Sequence, residues 1–362
     1  MHTWMILFDI LLISKLAACK NASDNTTPVV DCTALSARPL EMNVIGTPHT
    51  AGIPQGFHDI AFDHDGYLAG FDGTALVRST RDFQRQVISS SVTTVEGMEY
   101  LSDGRLAVAD TTYGVLLFGP DGSFVHLAPD ILGFAIVRGP DEHLYVTDMA
   151  SRVYRIQPHT GVVEIWIDFE DFPELAHQMP RTLNFSLDYK KAYIGTFGEP
   201  VYEVDLDPNF NPRSAPRLFV NLWEGAQWVD GLAVDQCGNL YFPIWPTHLL
   251  RVTPEGQISS YHTFVETEYG HGLKWGSGKG GWRTDALYMP QPYHSNTVVE
   301  VVVGVPGRSP WMGIPKKDPY VLTCHATATQ NRRFPFLSLL WVGIVCFFVR
   351  RYHSTNTGPL RF

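Results

Sequence analysis

The sequence predicts an all-β fold, a six-bladed β-propeller, and three observations support this prediction. One unit with the same turn pattern recurs six times between residues 39 and 308. Successive units begin 36 to 49 residues apart, which is the length of a propeller blade. The 31 Gly, 25 Pro and 12% aromatic residues favour many short strands and turns over long helices. A long β-sandwich, the alternative, gives no reason for one turn to recur six times.

Each unit begins with a short apolar strand that ends in an Asp-x-x-Gly turn. Residues 58–72 align without gaps to residues 96–110, and residues 230–242 fit the same frame. Looser copies begin at Leu132, Arg181 and His271. The glycine of the turn can adopt the positive φ that a tight hairpin requires. A second strand and two further strands follow, which gives four antiparallel strands per blade.

The last blade is expected to take one strand from the start of the chain. Three clear strands follow His271, and the last of them ends at Val298–Val303. A short stretch near residues 41–45 has the length of the missing fourth strand. We therefore expect this stretch to pair with the sixth blade and close the ring.

The N-terminal segment is interpreted as a targeting signal. An apolar run, which only Asp9 interrupts, is followed by small residues up to Cys19. This pattern predicts a secretory signal peptide over residues 1–19. The last four residues of this segment also resemble a bacterial lipoprotein cleavage box, which would leave Cys19 lipidated. Both interpretations stay open from the sequence.

The segment after the signal, residues 20–38, is expected to be an exposed linker. Its two glycosylation sequons begin at Asn21 and Asn25. In an exported chain, Cys32 and Cys324 flank the globular region and would pair to join its two ends. Cys237 would then remain unpaired.

The C-terminal segment predicts a membrane anchor. Residues 334–349 form an uncharged stretch of 16 residues that stops at two arginines. As a helix it spans roughly 24 Å, which is short but tolerable for a bilayer. We expect a transmembrane helix here, with residues 309–333 as a juxtamembrane segment and residues 350–362 as a cytoplasmic tail. The propeller would then lie outside the cytoplasm at the cell membrane; the alternative is a buried terminal strand or helix.

The charge balance excludes one class of partner. The chain carries 27 Lys and Arg against 37 Asp and Glu, a formal net charge of −10. Such a surface repels phosphate backbones, so nucleic acid is not an expected partner.

The predicted propeller brings polar residues from most blades to one rim. The innermost strand of each blade lines the central channel, so the first residues of the six units should meet at one face. These residues are His58, Glu96, Leu132, Arg181, Asp230 and His271. The second strands end at the same face with Asp72, Asp110, Asp148 and Trp245, the last as a wall of the substrate pocket. Because charges are costly to bury unpaired, five ionisable groups in this ring indicate a functional site.

The repeat resembles the senescence-marker-protein/gluconolactonase family, six-bladed propellers that hydrolyse lactones and related esters with a central divalent metal. The resemblance covers about three quarters of the chain. It depends on Asp230–Leu232, on residues 183–188 and on the repeated Asp-x-x-Gly-x-Leu-Tyr unit. Paraoxonases and strictosidine-synthase-like proteins share this architecture, and residues 113–120 are more similar to the latter.

The resemblance implies a metal site at Asp230, which matches the family's metal-binding aspartate. His58 and Glu96 would complete the ligand set, and His58 or His271 would serve as ligand or general base. The sequence departs from the family at two positions, because the family's glutamate is His58 and its asparagine falls on Arg181. A site that mixes histidine and carboxylate suits zinc or manganese better than the calcium typical of the family.

Three functions remain open for this ring. In the first, a divalent metal polarises a lactone or ester carbonyl and activates water. In the second, Arg181 holds a substrate carboxylate or phosphate, and an Asp230–His271 or Glu96–His58 pair transfers protons. In the third, Arg181 forms salt bridges with Asp230 and Glu96, and the propeller binds a ligand or protein at the cell surface without catalysis.

Overall fold

The computed structural model describes residue 32 and residues 41–44, 59–82, 84–92, 94–198, 200–222, 228–245, 248–263, 271–291 and 297–308. All of them belong to the first of two compact units, Met1–Lys316. The predicted signal peptide and C-terminal anchor, with the second unit Lys317–Phe362, lie outside the described residues. Within the described ranges, no helix has the length and apolar character needed to cross a membrane.

The first two blades are four-stranded antiparallel sheets whose strands follow one another in the chain, from the innermost to the outermost. The first blade contains β2 (Ala61–Phe62), β3 (Leu68–Phe71), β4 (Leu76–Ser79) and β5 (Arg85–Ser89). The second blade contains β6 (Val95–Tyr100), β7 (Leu106–Asp110), β8 (Gly114–Phe118) and β9 (Phe124–Ala128).

The next two blades repeat this order. The third contains β10 (Gly133–Arg138), β11 (Leu144–Asp148), β12 (Arg152–Ile156) and β13 (Val163–Asp168), followed by a 3₁₀ turn at Phe169–Asp171. The fourth contains β14 (Pro180–Phe185), β15 (Lys191–Thr196), β16 (Pro200–Asp205) and β17 (Arg217–Asn221).

The fifth and sixth blades depart from the common order. In the fifth, the innermost strand is divided into two pieces that both pair with one neighbour: β18 (Trp228–Val229), β19 (Ala233–Val234), β20 (Leu240–Trp245), β21 (His248–Val252) and β22 (Ile258–Thr263). The sixth consists of β23 (Lys274–Trp275), β24 (Ala286–Gln291), β25 (Thr297–Val302) and β1 (Glu41–Val44). Because β1 pairs antiparallel with β25, the predicted closure of the ring by an N-terminal strand is confirmed.

The burial of the strands follows from their position in a blade. All five residues of β7, β8 and β11 are buried, because neighbouring blades cover both faces of these middle strands. The outermost strands β5, β9 and β13 mix polar and apolar residues and are largely exposed. Aliphatic and β-branched runs therefore form the middle of each blade, and mixed sequences form its outer edge.

Apolar packing between adjacent blades holds the ring together. The buried apolar side chains of the described residues form six clusters, and each cluster joins two neighbouring blades. The cluster that joins the sixth blade to the first contains Phe62, Trp282 and Tyr288, whose rings contact one another edge to face. The six-bladed architecture predicted from the repeat is therefore confirmed.

The disulfide bond differs from the prediction. Cys32 is bonded to Cys237, so the expected pairing of Cys32 with Cys324 is wrong and Cys237 is not a free thiol. Cys237 lies in the turn between β19 and β20 and packs against the cluster between the fifth and sixth blades. The bond therefore ties the segment before β1 to the fifth blade, a proximity that sequence position alone does not reveal.

Removing this bond is expected to destabilise the propeller. The cross-link spans 205 residues of chain and restricts the unfolded state, so Cys237→Ser should lower the free energy of unfolding by about 2–4 kcal/mol. Urea unfolding measures this change. Dithiothreitol should bring the wild type to the level of the variant and leave the variant unchanged, and Cys32→Ser is the matched control. Equal stability of the wild type and both variants would contradict the bond.

Candidate functional site

Irregularities in three inner strands lie where the sequence predicts the site. The register of β6 shifts between Val95 and Gly97, and that of β14 shifts between Pro180 and Thr182. The inner strand of the fifth blade is interrupted between β18 and β19. The residues at these irregularities are Glu96, Arg181 and Asp230, and all three line the central cavity. A β-bulge changes the direction of a side chain, which accounts for three polar groups facing the channel.

The central cavity has a volume of about 130 Å³ and is lined by inner strands of all six blades. Each blade contributes at least one residue, for example Asp59, Glu96, Phe134, Arg181, Asp230 and Lys274. Most ionisable residues of the lining fall into three groups along the channel, one of which also includes His271 from behind the lining. We call them the mouth group, the middle group and the far group, and each is described below.

The mouth group consists of Arg181, Asp230 and His271. Arg181 Nε donates a short hydrogen bond to Asp230 Oδ1, and His271 Nδ1 lies 3.1 Å from Asp230 Oδ2. The side chains are 9%, 3% and 1% exposed, respectively. The expected contact between Asp230 and His271 is therefore present. In such a buried ion pair, each charge depends on its partner, so loss of either would leave an uncompensated charge.

Aromatic rings surround the guanidinium of Arg181. Its central carbon lies 4.3 Å from the ring centre of Phe134, 4.8 Å from that of Phe197 and 5.8 Å from that of Trp228. Cation–π contacts of this kind stabilise a guanidinium that is partly removed from water. Arg181 is thus held by a carboxylate on one side and by aromatic faces on others.

The middle group consists of Asp59, Glu99 and Lys274. Lys274 Nζ lies 3.3 Å from Asp59 Oδ2 and 3.0 Å from Glu99 Oε2, and the Met98 N–H donates to Asp59 Oδ2 at 3.2 Å. Burial raises the pKa of the Asp59 carboxyl to about 6, although Lys274 offsets part of this effect. Burial alone would lower the pKa of Lys274, but attraction to the two carboxylates outweighs it and raises that pKa.

The far group lies at the other end of the same cavity and contains Arg138, Glu142 and Arg308. Arg138 is the last residue of β10, and Glu142 lies in the turn that follows this strand. Asn184, which bonds the Leu232 carbonyl oxygen at 2.8 Å, is also at this end. Asn184 therefore does not join the mouth group.

Three aspartates that were predicted at the rim of the channel accept hydrogen bonds within turns. Asp72, Asp110 and Asp148 each accept a hydrogen bond from the backbone N–H two residues later, at 2.7–2.9 Å. Asx turns of this kind fix the hairpin after the second strand. These carboxylates do not line the central cavity, so the substrate-binding role predicted for Asp110 and Asp148 needs correction.

The other predicted residues have different placements. Leu132 is 41% exposed and does not line the cavity. Trp245 ends β20 and pairs with Trp228, but its side chain lies outside what the structure describes, as does the whole of His58. His271 contacts Asp230 from behind and does not itself line the cavity.

Sequence reasoning missed the middle and far groups. Asp59, Glu99, Arg138 and Lys274 all lie in or beside apolar inner strands, where an ionisable residue is unusual. That local contrast was the available signal.

The resemblance implies a divalent metal at Asp230, and the described residues do not fit one there. Both oxygens of Asp230 are engaged, one by the Arg181 guanidinium and the other by His271. A guanidinium has no lone pair for a metal and repels a cation at short range. In the described part of the chain, no three His, Cys, Asp or Glu side chains form a group that would hold a metal.

Comparison with known sequences identifies one family. Residues 137–266 match the family described as "SMP-30/Gluconolactonase/LRE-like region". The resemblance stated from the repeat is therefore confirmed over these residues. No curated protein is similar enough in sequence to count as a match.

Solved structures share the fold at low identity. A gluconolactonase from Xanthomonas campestris is 15% identical with a TM-score of 0.58, covering 76% of this chain and 93% of that protein. The calcium-binding protein regucalcin from Agrobacterium tumefaciens is 14% identical with a TM-score of 0.56, covering 75% and 96%. An auxiliary nutrient binding protein from Bacteroides ovatus is 13% identical with a TM-score of 0.53, covering 68% and 69%. Similarities at this level establish the propeller fold alone.

Asp59→Asn is expected to change how stability depends on pH. Since the pKa of Asp59 is raised to about 6, the folded protein binds this proton more tightly than the unfolded chain does. The wild type should therefore lose stability relative to Asp59→Asn as the pH rises from about 4 to above 6. Urea unfolding of both proteins across this range measures the difference. A difference that stays constant with pH would contradict the raised pKa.

Proposed function

We propose that this protein hydrolyses a lactone or carboxylic ester at the mouth of its central channel, with Arg181 in the position where the related enzymes would use a metal. One observation carries the proposal. Arg181 lines the cavity with its guanidinium held by Asp230, so a fixed positive charge already faces the space where a carbonyl would bind. The family match over residues 137–266 supports the reaction class.

Arg181 would bind the carbonyl oxygen of the substrate. Its Nε is bonded to Asp230, while Nη1 and Nη2 have no hydrogen-bond acceptor among the described residues. Two N–H donors on a fixed cation match the charge that develops on a carbonyl oxygen when water attacks. Asp230 and His271 are positioning residues in this mechanism, because they hold the guanidinium in place.

Glu96 would be the proton-transfer group. It lies at the bulge of β6, lines the same cavity and is half-buried, with its Oε2 atom enclosed by the protein. As the oxygen of water bonds to the carbonyl carbon, Glu96 accepts the proton. The acyl C–O bond then breaks and the proton passes to the leaving oxygen, so a lactone gives a hydroxy acid.

The mechanism predicts the effect of two substitutions on turnover. With a panel of lactones and aryl esters, Arg181→Lys should lower kcat by about 100-fold or more, because a lysine cannot present two fixed donors. Glu96→Gln should lower kcat by a factor of about 100 to 10,000, because the amide cannot accept the proton. Steady-state kinetics measure both effects.

The control for these variants is Arg283→Lys, since Arg283 lies 47% exposed beside Asp285, away from the cavity. This variant should keep full activity. A chelator should leave wild-type turnover unchanged. Turnover that the chelator abolishes, or full activity in Arg181→Lys, would contradict the proposed role of Arg181.

A second candidate function is binding without chemistry. The network of Arg181, Asp230 and His271 satisfies its own charges, as a structural ion network would. This candidate predicts no turnover with any member of the panel, together with saturable binding of a substrate analogue that Arg181→Lys weakens. The same panel therefore distinguishes the two functions.

We also propose that the propeller is exported and tethered to the cell membrane. The disulfide between Cys32 and Cys237 supports export, because such bonds persist in oxidising compartments. The uncharged residues 334–349 support a tether.

A chain that ends at Thr323 tests the tether. It should be recovered in the soluble fraction after export, whereas the full chain should sediment with membranes, because only the full chain carries residues 334–349. Fractionation followed by immunoblotting measures the distribution. Membrane retention of the shortened chain would instead favour a lipid on Cys19.

A further inference from the structure

Two arginines share the far end of the channel. Arg138 ends β10 with its side chain 7% exposed, and Arg308 follows the bridge between Asp235 and Gly307. Both line the central cavity. Burial lowers the pKa of Arg308, Tyr189 and the Glu99 carboxylate oppose this shift, and the positive charge of Arg138 adds to it. The two guanidinium groups are therefore close enough to repel each other.

The hydrogen-bond acceptors of Arg308 among the described residues are all neutral. Its Nη1 donates to the carbonyl oxygens of Phe185 at 3.1 Å and Ser186 at 3.3 Å, and its Nη2 donates to Asn184 Oδ1. The ring of Tyr189 lies 4.9 Å away. No carboxylate in the described part of the chain forms an ion pair with it, in contrast to Arg181 with Asp230. The Glu99 carboxylate attracts Arg308 without pairing with it directly. A buried charge is costly, so a bound anion that pairs directly with Arg308 would be favoured.

Two turns beside these arginines have unusual backbone conformations. The connection after the inner strand contains positive φ in all six blades, and in four of them it is at glycine: Gly66, Gly104, Gly238 and, in the sixth blade, Gly278, Gly280 and Gly281. In the third and fourth blades the same position is occupied by Glu142, with φ of 63°, and Tyr189, with φ of 58°. A side chain is strained in this region, and such strain is concentrated at functional sites.

The two strained residues contact the two arginines. Glu142 Oε1 lies 3.4 Å from Arg138 Nη1, and its other oxygen accepts a hydrogen bond from Ser102 Oγ. The Tyr189 ring faces Arg308. Glycine would adopt the positive φ of both turns without strain. The strained residues instead place a carboxylate beside Arg138 and an aromatic ring beside Arg308.

We propose that the far end of the channel binds a small oxyanion, a carboxylate or a phosphate, between Arg308 and Arg138. Guanidinium groups present forked donors that match the oxygens of such anions. Glu142 is the internal counter-ion of Arg138, and the incoming anion competes with it. This site lies at the opposite end of the cavity from Arg181, and the inference does not depend on hydrolysis.

Titration of the wild-type protein with inorganic phosphate and, separately, with acetate tests the proposal. Sodium chloride at equal ionic strength is the reference, and isothermal calorimetry and thermal unfolding measure binding. We expect saturable binding of at least one of the two anions, and the two arms show whether the site prefers phosphate or carboxylate. A response equal to that of chloride with both anions would overturn the proposal.

Three variants assign the site to these residues. Arg308→Gln and Arg138→Gln should each weaken anion binding by about 10-fold or more, because a charged hydrogen bond is lost. Glu142→Gln should strengthen binding, because the competing carboxylate is gone. If Glu142 had only a structural role, Glu142→Gln would not bind the anion more tightly. Weaker binding in the two arginine variants together with tighter binding in Glu142→Gln would therefore indicate an anion site and not a structural network.

Arg283→Gln is the matched control for charge, since it removes an arginine on an exposed turn. Its affinity for the anion should equal that of the wild type. If Arg308→Gln does not fold, Arg138→Gln and Glu142→Gln still decide the outcome. Equal affinity in all of these variants would show that the anion binds elsewhere and would overturn the proposal.

Discussion

The convergence of six inner strands on one axis imposes the constraint on which the rest of this molecule depends. Charges that face this confined channel, with a volume of about 130 Å³, are largely removed from bulk water and must balance one another. Arg181 with Asp230 and Lys274 with Asp59 and Glu99 satisfy this requirement within the protein. Arg308 is bonded only to neutral acceptors in the described residues, which is why the far end is the place where an external anion would be stabilised.

Departures from ideal strand and turn geometry direct the polar groups into this channel. Bulges in β6 and β14 and the interruption of the fifth inner strand turn Glu96, Arg181 and Asp230 towards the cavity. Positive φ at Glu142 and Tyr189 places these side chains beside the arginines of the far group. The regular parts of the blades are apolar and provide the packing. The irregular parts direct the polar side chains into the channel, and irregularities of this kind are common near functional sites.

Positive charge in the channel is supplied by the chain itself. Lys274 forms ion pairs with two carboxylates in the middle of the channel. At the mouth, Arg181 forms an ion pair with the Asp230 carboxylate. One solved structure with the same fold is that of a calcium-binding protein. It shares the fold with this chain at only 14% sequence identity. The same architecture therefore accommodates a lysine and an arginine as fixed cations, and reaction chemistry would follow from these side chains.

The sequence by itself determined the number of blades, the closing strand and the polar mouth. These features depend on local rules, since each Asp-x-x-Gly turn and apolar strand forms from residues that are near in sequence. It also predicted that Asp230 and His271 are neighbours, because equivalent positions of adjacent blades meet, and it offered the Arg181–Asp230 salt bridge as one of three alternatives. Only the tertiary structure decided that Cys32 bonds Cys237, that Asp110 and Asp148 fix turns, and that Arg308 enters the far end of the channel. These outcomes depend on where a loop or side chain comes to lie after packing, and no local pattern encodes that position.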